Sequence, residues 1–478
     1  LSRVPFKSRL LYHWDSVNFA NGLRHFDVLQ EHPQPPGYIV YVWLSRLVNW
    51  LIQDSNATMV WISIVGSSLA VTTLYLLGRA MWDRKTGLVA ALFLASSPLF
   101  WFYGEIALPH TLDTLLMLLS VWLLFRVWQG EEQDLWLVVL VMAVAGGIRQ
   151  QTLIFLLPLA LYAVKGVGWK RLLLAGLLGA VVCLVWFVPL ATSCGGTRAY
   201  LTKTATYSAR FLESTSILMG AGWMGVASNL RKLAIYVLYG LGAAIIPLGI
   251  FVVRGFVGRR WLEDRGLVVF LGLWILPALL FYSLIHMGQQ GLVFVFLPAL
   301  FLTSAIGLTN LPGTRQIRVA ILAMFVLVNT AIFCIVPEYP LGPGAQRLLT
   351  RDTVVNSDRY YDSRLTAIRE GFSPESTVIL AAHWDHVRYY LPEYNVLEFI
   401  AAHGWGEDVG QAGDSSDGEF SLRQEGLTIL LFDPILIPYN DTPEATRTLL
   451  LRNGEEMTYF VLMNEQIFYR RFGSFGVR

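Results

Sequence analysis

Charge is what this sequence has least of. Of 478 residues only 15% are charged, against about 25% in a typical soluble domain. That deficit excludes an ordinary soluble enzyme and a disordered chain. Cysteine is nearly absent: Cys183 and Cys334 lie inside apolar runs and Cys194 just after one. Three cysteines cannot build a disulfide framework, and no CxxC or Cys/His spacing suggests zinc, so they read as packing residues. The charges almost cancel, at +2, which leaves no nucleic-acid footprint. No P-loop, GxSxG or HExxH motif occurs. ATP-driven transport and serine or zinc hydrolysis therefore lack support. Signal peptide, internal repeat and low-complexity tract are all missing.

What is abundant is apolar surface: 55% of residues are hydrophobic and the mean hydropathy is +0.51. A helix needs about 20 apolar residues to cross a bilayer, because its backbone must satisfy itself where water is absent. Such runs predict spans near 57–78, 87–104, 113–128, 134–147, 151–164, 171–190, 233–253, 267–285, 291–310 and 318–336. The fourth and fifth are short and could instead form one helix bent around Gly146, Gly147 and Arg149. Charge placement separates the readings. With ten crossings, one side receives Arg79, Arg84, Lys85, Lys165, Lys170, Arg171, Arg254, Arg259, Arg260, Arg265, Arg315 and Arg318. The short loops of the other side hold only Arg149. Positive loops face the cytoplasm, and a single long helix would send Arg79, Arg84 and Lys85 outside. The charges argue for two crossings.

Three longer pieces then fall outside: 1–56, the loop 191–232 within the 57–337 membrane domain, and the tail 338–478. The run 36–52 carries Arg46 and precedes a polar stretch, so it is expected to lie on the outer surface as an interfacial helix. Residues 1–56 would then begin outside, and an upstream span is expected to be missing. In the tail, GPG at 342–344 reads as a linker. Strands are expected at 377–381, 427–432 and 459–463, with helices near 357–370 and 443–453. These make a small soluble α/β domain.

Six clusters look chemical. Asp15, within Tyr12-His13-Trp14-Asp15-Ser16, precedes His32-Pro33-Gln34-Pro35-Pro36-Gly37-Tyr38. It is either a general base or metal ligand at the membrane surface, or a helix N-cap. Glu105, His110 and Asp113 stand at the outer ends of two spans. Ionisable groups at membrane depth are functional candidates by default, though here they could be loop residues in headgroup water. Arg149 suits phosphate or carboxylate with its planar fork, or makes a structural ion pair. His286, in a His-Met-Gly-Gln-Gln-Gly turn, is structural or functional. Lys203, with Arg198 and Arg210 in the 191–232 loop, could hold a lipid phosphate or be solvated. His383-Trp384-Asp385-His386 in the tail looks like a metal cluster at first sight, but no further Cys/His set supports it.

An outer Asp15 shortly before Pro35-Pro36-Gly37-Tyr38, acidic groups at the outer end of a later span, and spans ending in an outer domain resemble the GT-C superfamily. These are polytopic glycosyltransferases that use polyprenyl-phosphate sugars. The resemblance is strongest to the bacterial branch related to aminoarabinose transferases and protein O-mannosyltransferases, and covers about residues 10–310. It implies a polytopic α-helical membrane protein, GT-C-like, with interfacial helices in the first outer loop and a C-terminal soluble α/β domain. It also implies that Asp15 is the essential acid of the first outer loop. Relatives often have two adjacent acids there; Ser16 stands second here, which leaves a divalent metal open. With one span upstream, Glu105 and Asp113 fall at the second acidic site. The Asp-x-Asp of relatives is lacking, and His110 occupies that stretch.

The expected activity is transfer of a sugar from a polyprenyl-phosphate donor to a glycan, lipid or protein of the cell envelope, with inversion. The expected setting is the plasma (inner) membrane, with the C-terminal domain extracytoplasmic. Asp15, Glu105 and Asp113 are the expected catalytic residues; Arg149, His110, His286 and Lys203 are the expected substrate contacts. The rival expectation is a transporter or lipid flippase, which would fit many spans with scattered Arg and Gly. A third is a non-catalytic assembly protein presenting its tail.

Overall fold

The protein is described here by a computed structural model covering residues 2–258, 265–340, 347–399, 420–463, 465–471 and 473–478. Arg259 and Arg260 of the charge argument and the GPG at 342–344 lie outside these residues.

Two helices open the chain, α1 (Trp14–Arg24) and α2 (Ile39–Ile52). A helical bundle follows: α3 (Ser55–Met81), α4 (Arg84–Ser96), α5 (Pro98–Tyr103), α6 (His110–Trp128), α7 (Leu135–Ile148), α8 (Gln150–Ala163), α9 (Trp169–Ser193), α10 (Thr197–Thr215), α11 (Gly222–Leu241), α12 (Ile245–Gly258), α13 (Arg265–Leu284), α14 (Leu297–Thr309) and α15 (Arg315–Ile335). Among the described residues six runs are long and apolar enough to cross a bilayer: α3, α6, α9, α11 continued into α12, α13 and α15. The chain is an integral membrane protein. Each expected span has its helix, though 87–104 is broken into α4 and α5 at Ser97 and Pro98, and 291–310 begins with a 3-10 stretch.

Local chemistry sets the breaks. Asp54 caps α3 by accepting from the Ala57 N–H at 2.6 Å, and Asp83 caps α4 by accepting from Thr86 at 2.7 Å. Between them α3 and α4 turn back on each other at glycines. A Cβ on Gly78 would lie 2.7 Å from the Gly87 Cα, the close approach that small residues allow between membrane helices. Arg149 is extended (φ −147°, ψ 106°) and separates α7 from α8, which pack on each other. The two-helix reading holds over the single bent helix. α6 sits in the middle of the bundle, 67% buried, whereas α9 is 11% buried and α15 17%. The last two present most of their surface outward.

α2 is about 21 Å long at 1.5 Å per residue, short of the hydrocarbon thickness of about 30 Å. Ile39, Tyr41, Val42 and Ser45 face inward, Trp43, Leu47, Trp50 and Leu51 outward. Arg46 turns back to donate to the Leu23 and Gly22 carbonyls.

After α15 the chain forms β1 (Tyr339–Pro340), β2 (Arg347–Leu348), α16 (Arg351–Gly371), β3 (Thr377–Ala381), α17 (Trp384–Tyr390), β4 (Asn395–Glu398), β5 (Phe420–Leu422), β6 (Thr428–Leu431), β7 (Arg447–Leu450), β8 (Glu456–Val461), β9 (Phe468–Arg471) and β10 (Ser474–Val477). The main sheet runs β4-β3-β6-β8-β7, parallel across its first three strands and antiparallel beyond. β3 reads TVILA and is buried throughout, as a parallel strand covered on both faces must be. The expected helix at 443–453 is a short 3-10 turn followed by β7. β7 is an edge strand, exposed at Arg447, Thr448 and Leu450, so its sequence carries no two-fold burial pattern.

Candidate active site

His13, in an extended conformation, is the N-cap of α1, and its Nδ1 accepts the Asp15 N–H at 3.0 Å. An accepting Nδ1 carries no proton, so the neutral ring holds its proton on Nε2. Burial lowers the His13 pKa, against the pull of Asp15. Asp15 is therefore not the cap; it is the second residue of the first turn, with its carboxylate free for other partners. Gln289, in the loop after α13, donates from its side-chain amide to Asp15 Oδ2, and His13 Nδ1 stands 3.6 Å from the same oxygen. Burial raises the Asp15 pKa; His13, the Gln289 hydrogen bond and Arg149 oppose this, and Glu31 adds to it.

The second carboxylate comes from the first turn of α6. Asp113 is 4% exposed. Its Oδ1 accepts from the Thr152 hydroxyl at 2.7 Å, and its Oδ2 lies 3.6 Å from the Arg149 guanidinium. The break between α7 and α8 thus aims Arg149 at a carboxylate on α6. The break exists because Gly146 and Gly147 pack tightly: a Cβ on Gly147 would meet Val40 at 2.3 Å and Trp186 at 3.0 Å. Tyr38 lies within electrostatic reach of Arg149, Asp15 and Asp113. Tyr282 feels Arg149, Asp113 and Tyr38. His110 packs on Tyr103 with ring centroids 4.8 Å apart, and Gly291 touches both, since a Cβ there would lie 2.5 Å from one and 2.7 Å from the other. Among the described residues, Arg149 Nε, His110 Nδ1 and the Tyr282 hydroxyl are buried with no hydrogen-bond partner, where buried polar atoms are normally paired.

The remaining expected residues divide. Lys203, on α10, binds Glu31 at 3.0 Å, and Arg210 reaches the same carboxylate oxygen at 3.1 Å. The Glu31 charge is felt at Asp15, so both cations are on the side of the cluster that Glu31 occupies. His286 lies further along the loop that carries Gln289, with Nδ1 3.0 Å from the Thr215 hydroxyl. Glu105 is not brought to the others. It is fully buried beside Arg3, whose guanidinium donates to the Phe100 carbonyl at 3.3 Å. In the tail, His383 pairs with Asp433, which also accepts from Tyr360 at 2.6 Å. Those bonds outweigh the burial that would raise Asp433 and hold its pKa below the usual value.

Sequence reasoning missed His13, Gln289, Thr152, Glu31 and Tyr38. Gln289 and His13 stood in stretches already singled out, but nothing in a linear pattern aims one at the other's neighbour. Among the described residues no three His, Cys, Asp or Glu side chains converge to hold a metal ion. The donor set around Asp15 is one carboxylate, one imidazole and an amide, short of the three or four converging ligands such a site needs.

Residues 31–192 match the family model of dolichyl-phosphate-mannose-protein mannosyltransferases. No curated protein matches. Among solved structures, ArnT from Cupriavidus metallidurans bound to undecaprenyl phosphate superposes with a TM-score of 0.58 at 12% identity, covering 96% of this chain and 95% of that one. Its apo state gives 0.57 with the same coverage. An oligosaccharyltransferase from Archaeoglobus fulgidus, in complex with Zn and sulfate, gives 0.50 at 14% identity over 81% of this chain and 57% of that one. The chain has the fold of ArnT from its opening helices to its C-terminal sheets: a GT-C-like membrane fold with a C-terminal sheet-containing domain.

Proposed function

With an ArnT-like GT-C fold as the premise, we propose that this chain is a membrane glycosyltransferase that moves a sugar from a polyprenyl-phosphate donor to an acceptor at the extracytoplasmic face. The observation that supports it most is the convergence of Asp15, Asp113 and Arg149 from three separate helix ends, beside unpartnered polar atoms. The relative with the same architecture has been seen with undecaprenyl phosphate, and the family-model match falls on the segment holding Asp113 and Arg149. The transporter reading has no comparable support.

The chemistry follows from the residues. An acceptor hydroxyl or amine attacks the anomeric carbon of the donor. The new bond to that carbon forms as its bond to the phosphate oxygen breaks, and the electron pair leaves on the phosphate. Asp15 takes the acceptor's proton; its pKa, raised by burial, makes it a stronger base than an exposed aspartate. Arg149 meets the phosphate charge that grows as the bond breaks, and Asp113 with Thr152 fixes its fork. Lys203 and Arg210 add positive charge at the same mouth. Attack from the face opposite the phosphate inverts the anomeric centre. No step is routed through a metal ion. The helix α2 lies along the outer membrane surface with Trp50 and Leu51 in the lipid, and the lipid tail of the donor runs between helices.

Asp15→Asn tests the reading directly. Membranes carrying the variant should transfer label from undecaprenyl-phosphate sugars at less than a hundredth of the wild-type rate at equal protein level. Transfer near the wild-type rate would sink the assignment.

A further inference from the structure

We infer that the C-terminal domain works as a clamp that sets the position of Asp15. Residues 9–11, just ahead of α1, are held along their backbone by three side chains of that domain. Asp358 on α16 accepts the Arg9 N–H at 2.9 Å and the Leu10 N–H at 3.0 Å. The Tyr390 hydroxyl accepts the Leu11 N–H at 2.8 Å. His386 Nε2 donates to the Leu11 carbonyl at 3.2 Å. Leu10 packs into the hydrophobic core of the domain itself.

The grip is built rigidly. His386 is 2% exposed, and its ring stacks on Tyr361 with centroids 4.5 Å apart and planes 9° apart. Tyr390 and His386 both belong to α17. The same helix reaches the far end of α1, where the Arg24 guanidinium stands 4.2 Å over the Tyr389 ring. One short helix therefore touches α1 both before its first turn and at its last residue. Asp15 lies in that first turn, and its N–H is tied to His13, two residues past Leu11.

Backbone bonds at residues 9–11 on one side, and at His13 and Asp15 on the other, bracket the short stretch that leads into the first turn of α1 and so set where the Asp15 Cα stands relative to Gln289. Displacements of about 1 Å can cost about a hundredfold in rate. Asp358, Tyr390 and His386 are positioning residues: they touch no reacting atom and act through residues 9–15.

The inference rests on the transferase reading, and its test keeps the two apart. Tyr390→Phe removes only the hydroxyl; Asp358→Asn keeps one acceptor of two. Both are made in the full-length chain and assayed with undecaprenyl-phosphate hexose as labelled donor. Each should lower kcat about five- to thirtyfold, the equivalent of one to two hydrogen bonds, while donor KM stays within twofold. Asp358→Glu should recover part of the rate. In parallel, amide hydrogen exchange should quicken from Leu11 through Asp15. Unchanged kcat, or a donor KM that rises in proportion to the loss, overturns the clamp. If the wild-type chain transfers nothing from any donor, the transferase reading has failed, and exchange alone decides: quickening that reaches Asp15 supports the clamp, and quickening confined to residues 9–11 overturns it.

Discussion

At the scale of single residues, the cluster is a set of charges that can exist at a membrane only because they meet. Asp113 and Arg149 illustrate the cost. Removing one partner leaves the other buried and uncompensated, at about 3–5 kcal/mol. Arg149→Gln and Asp113→Asn should each destabilise the protein and weaken binding of undecaprenyl phosphate. The double variant should lose less than the sum, with a coupling of about 1–3 kcal/mol, read by thermal unfolding in detergent. Full additivity would mean the two do not share a site. Asp15 makes a different prediction, on pH. Its carboxyl must be ionised to act as a base, and burial raises its pKa above 3.8. Activity should therefore fall as pH drops through a value above that of an exposed aspartate, and Asp15→Asn should abolish that limb of the pH–rate profile.

Glu105 shows where sequence reading stops. It shares with Asp113 an acidic type and a place near the outer helix ends, and from the sequence both were equally eligible. Distance in the fold separates them, because the partner of Glu105 is Arg3, at the other end of the opening segment. We predict that Glu105→Gln leaves kcat per folded molecule within twofold and shows its effect in the melting temperature instead. A loss of kcat with intact stability would return Glu105 to the chemistry. Asp15, Asp113 and Arg149 were legible because a charge in apolar surroundings stands out. Gln289 and His13 were not, because an amide or an imidazole takes its meaning from what it faces.

At the scale of elements, the legible features were those with a physical period or length. Apolar runs gave the helices of the bundle other than α10, and charge counts chose two helices over one at Arg149. The helix α10 was not visible, since it lacks an apolar run and lay in what read as a loop. β7 was misread as helix because an exposed edge strand has no alternation to report. Glycine packing is a further element-scale device. Gly78→Ala would press a Cβ within 2.7 Å of the Gly87 backbone and force α3 from α4. We expect a loss of about 1–3 kcal/mol, measurable as a lowered melting temperature, with the surviving folded fraction fully active.

At the scale of the whole molecule, the C-terminal domain and the bundle are joined through a histidine that must stay neutral. Burial, with the nearby charges of His383 and His13, lowers the His386 pKa from 6.5 to about 3. The unfolded chain takes up this proton below 6.5 and the folded chain resists until about 3. Stability from this group is therefore intact above 6.5 and drains away as pH falls through that window, by at most about 1.4 kcal/mol per unit. His386→Gln keeps an N–H for the Leu11 carbonyl and cannot titrate. Its melting temperature should decline less steeply between pH 6.5 and 4 than that of the wild type. Parallel declines would show that another group governs acid lability.

The scant burial of α9 has a mechanical corollary. A helix that packs on α7 along one flank and turns apolar side chains such as Leu177, Val181 and Val185 outward answers a change of bilayer thickness by tilting against that neighbour. Beyond its end at Ser193, Gly195 and Gly196, both at positive φ, lead into the helix that carries Lys203. Bilayer thickness thereby becomes a setting on how far that ammonium stands from the carboxylates, and the proposed sugar transfer should run at different speeds in short-chain and long-chain phospholipids.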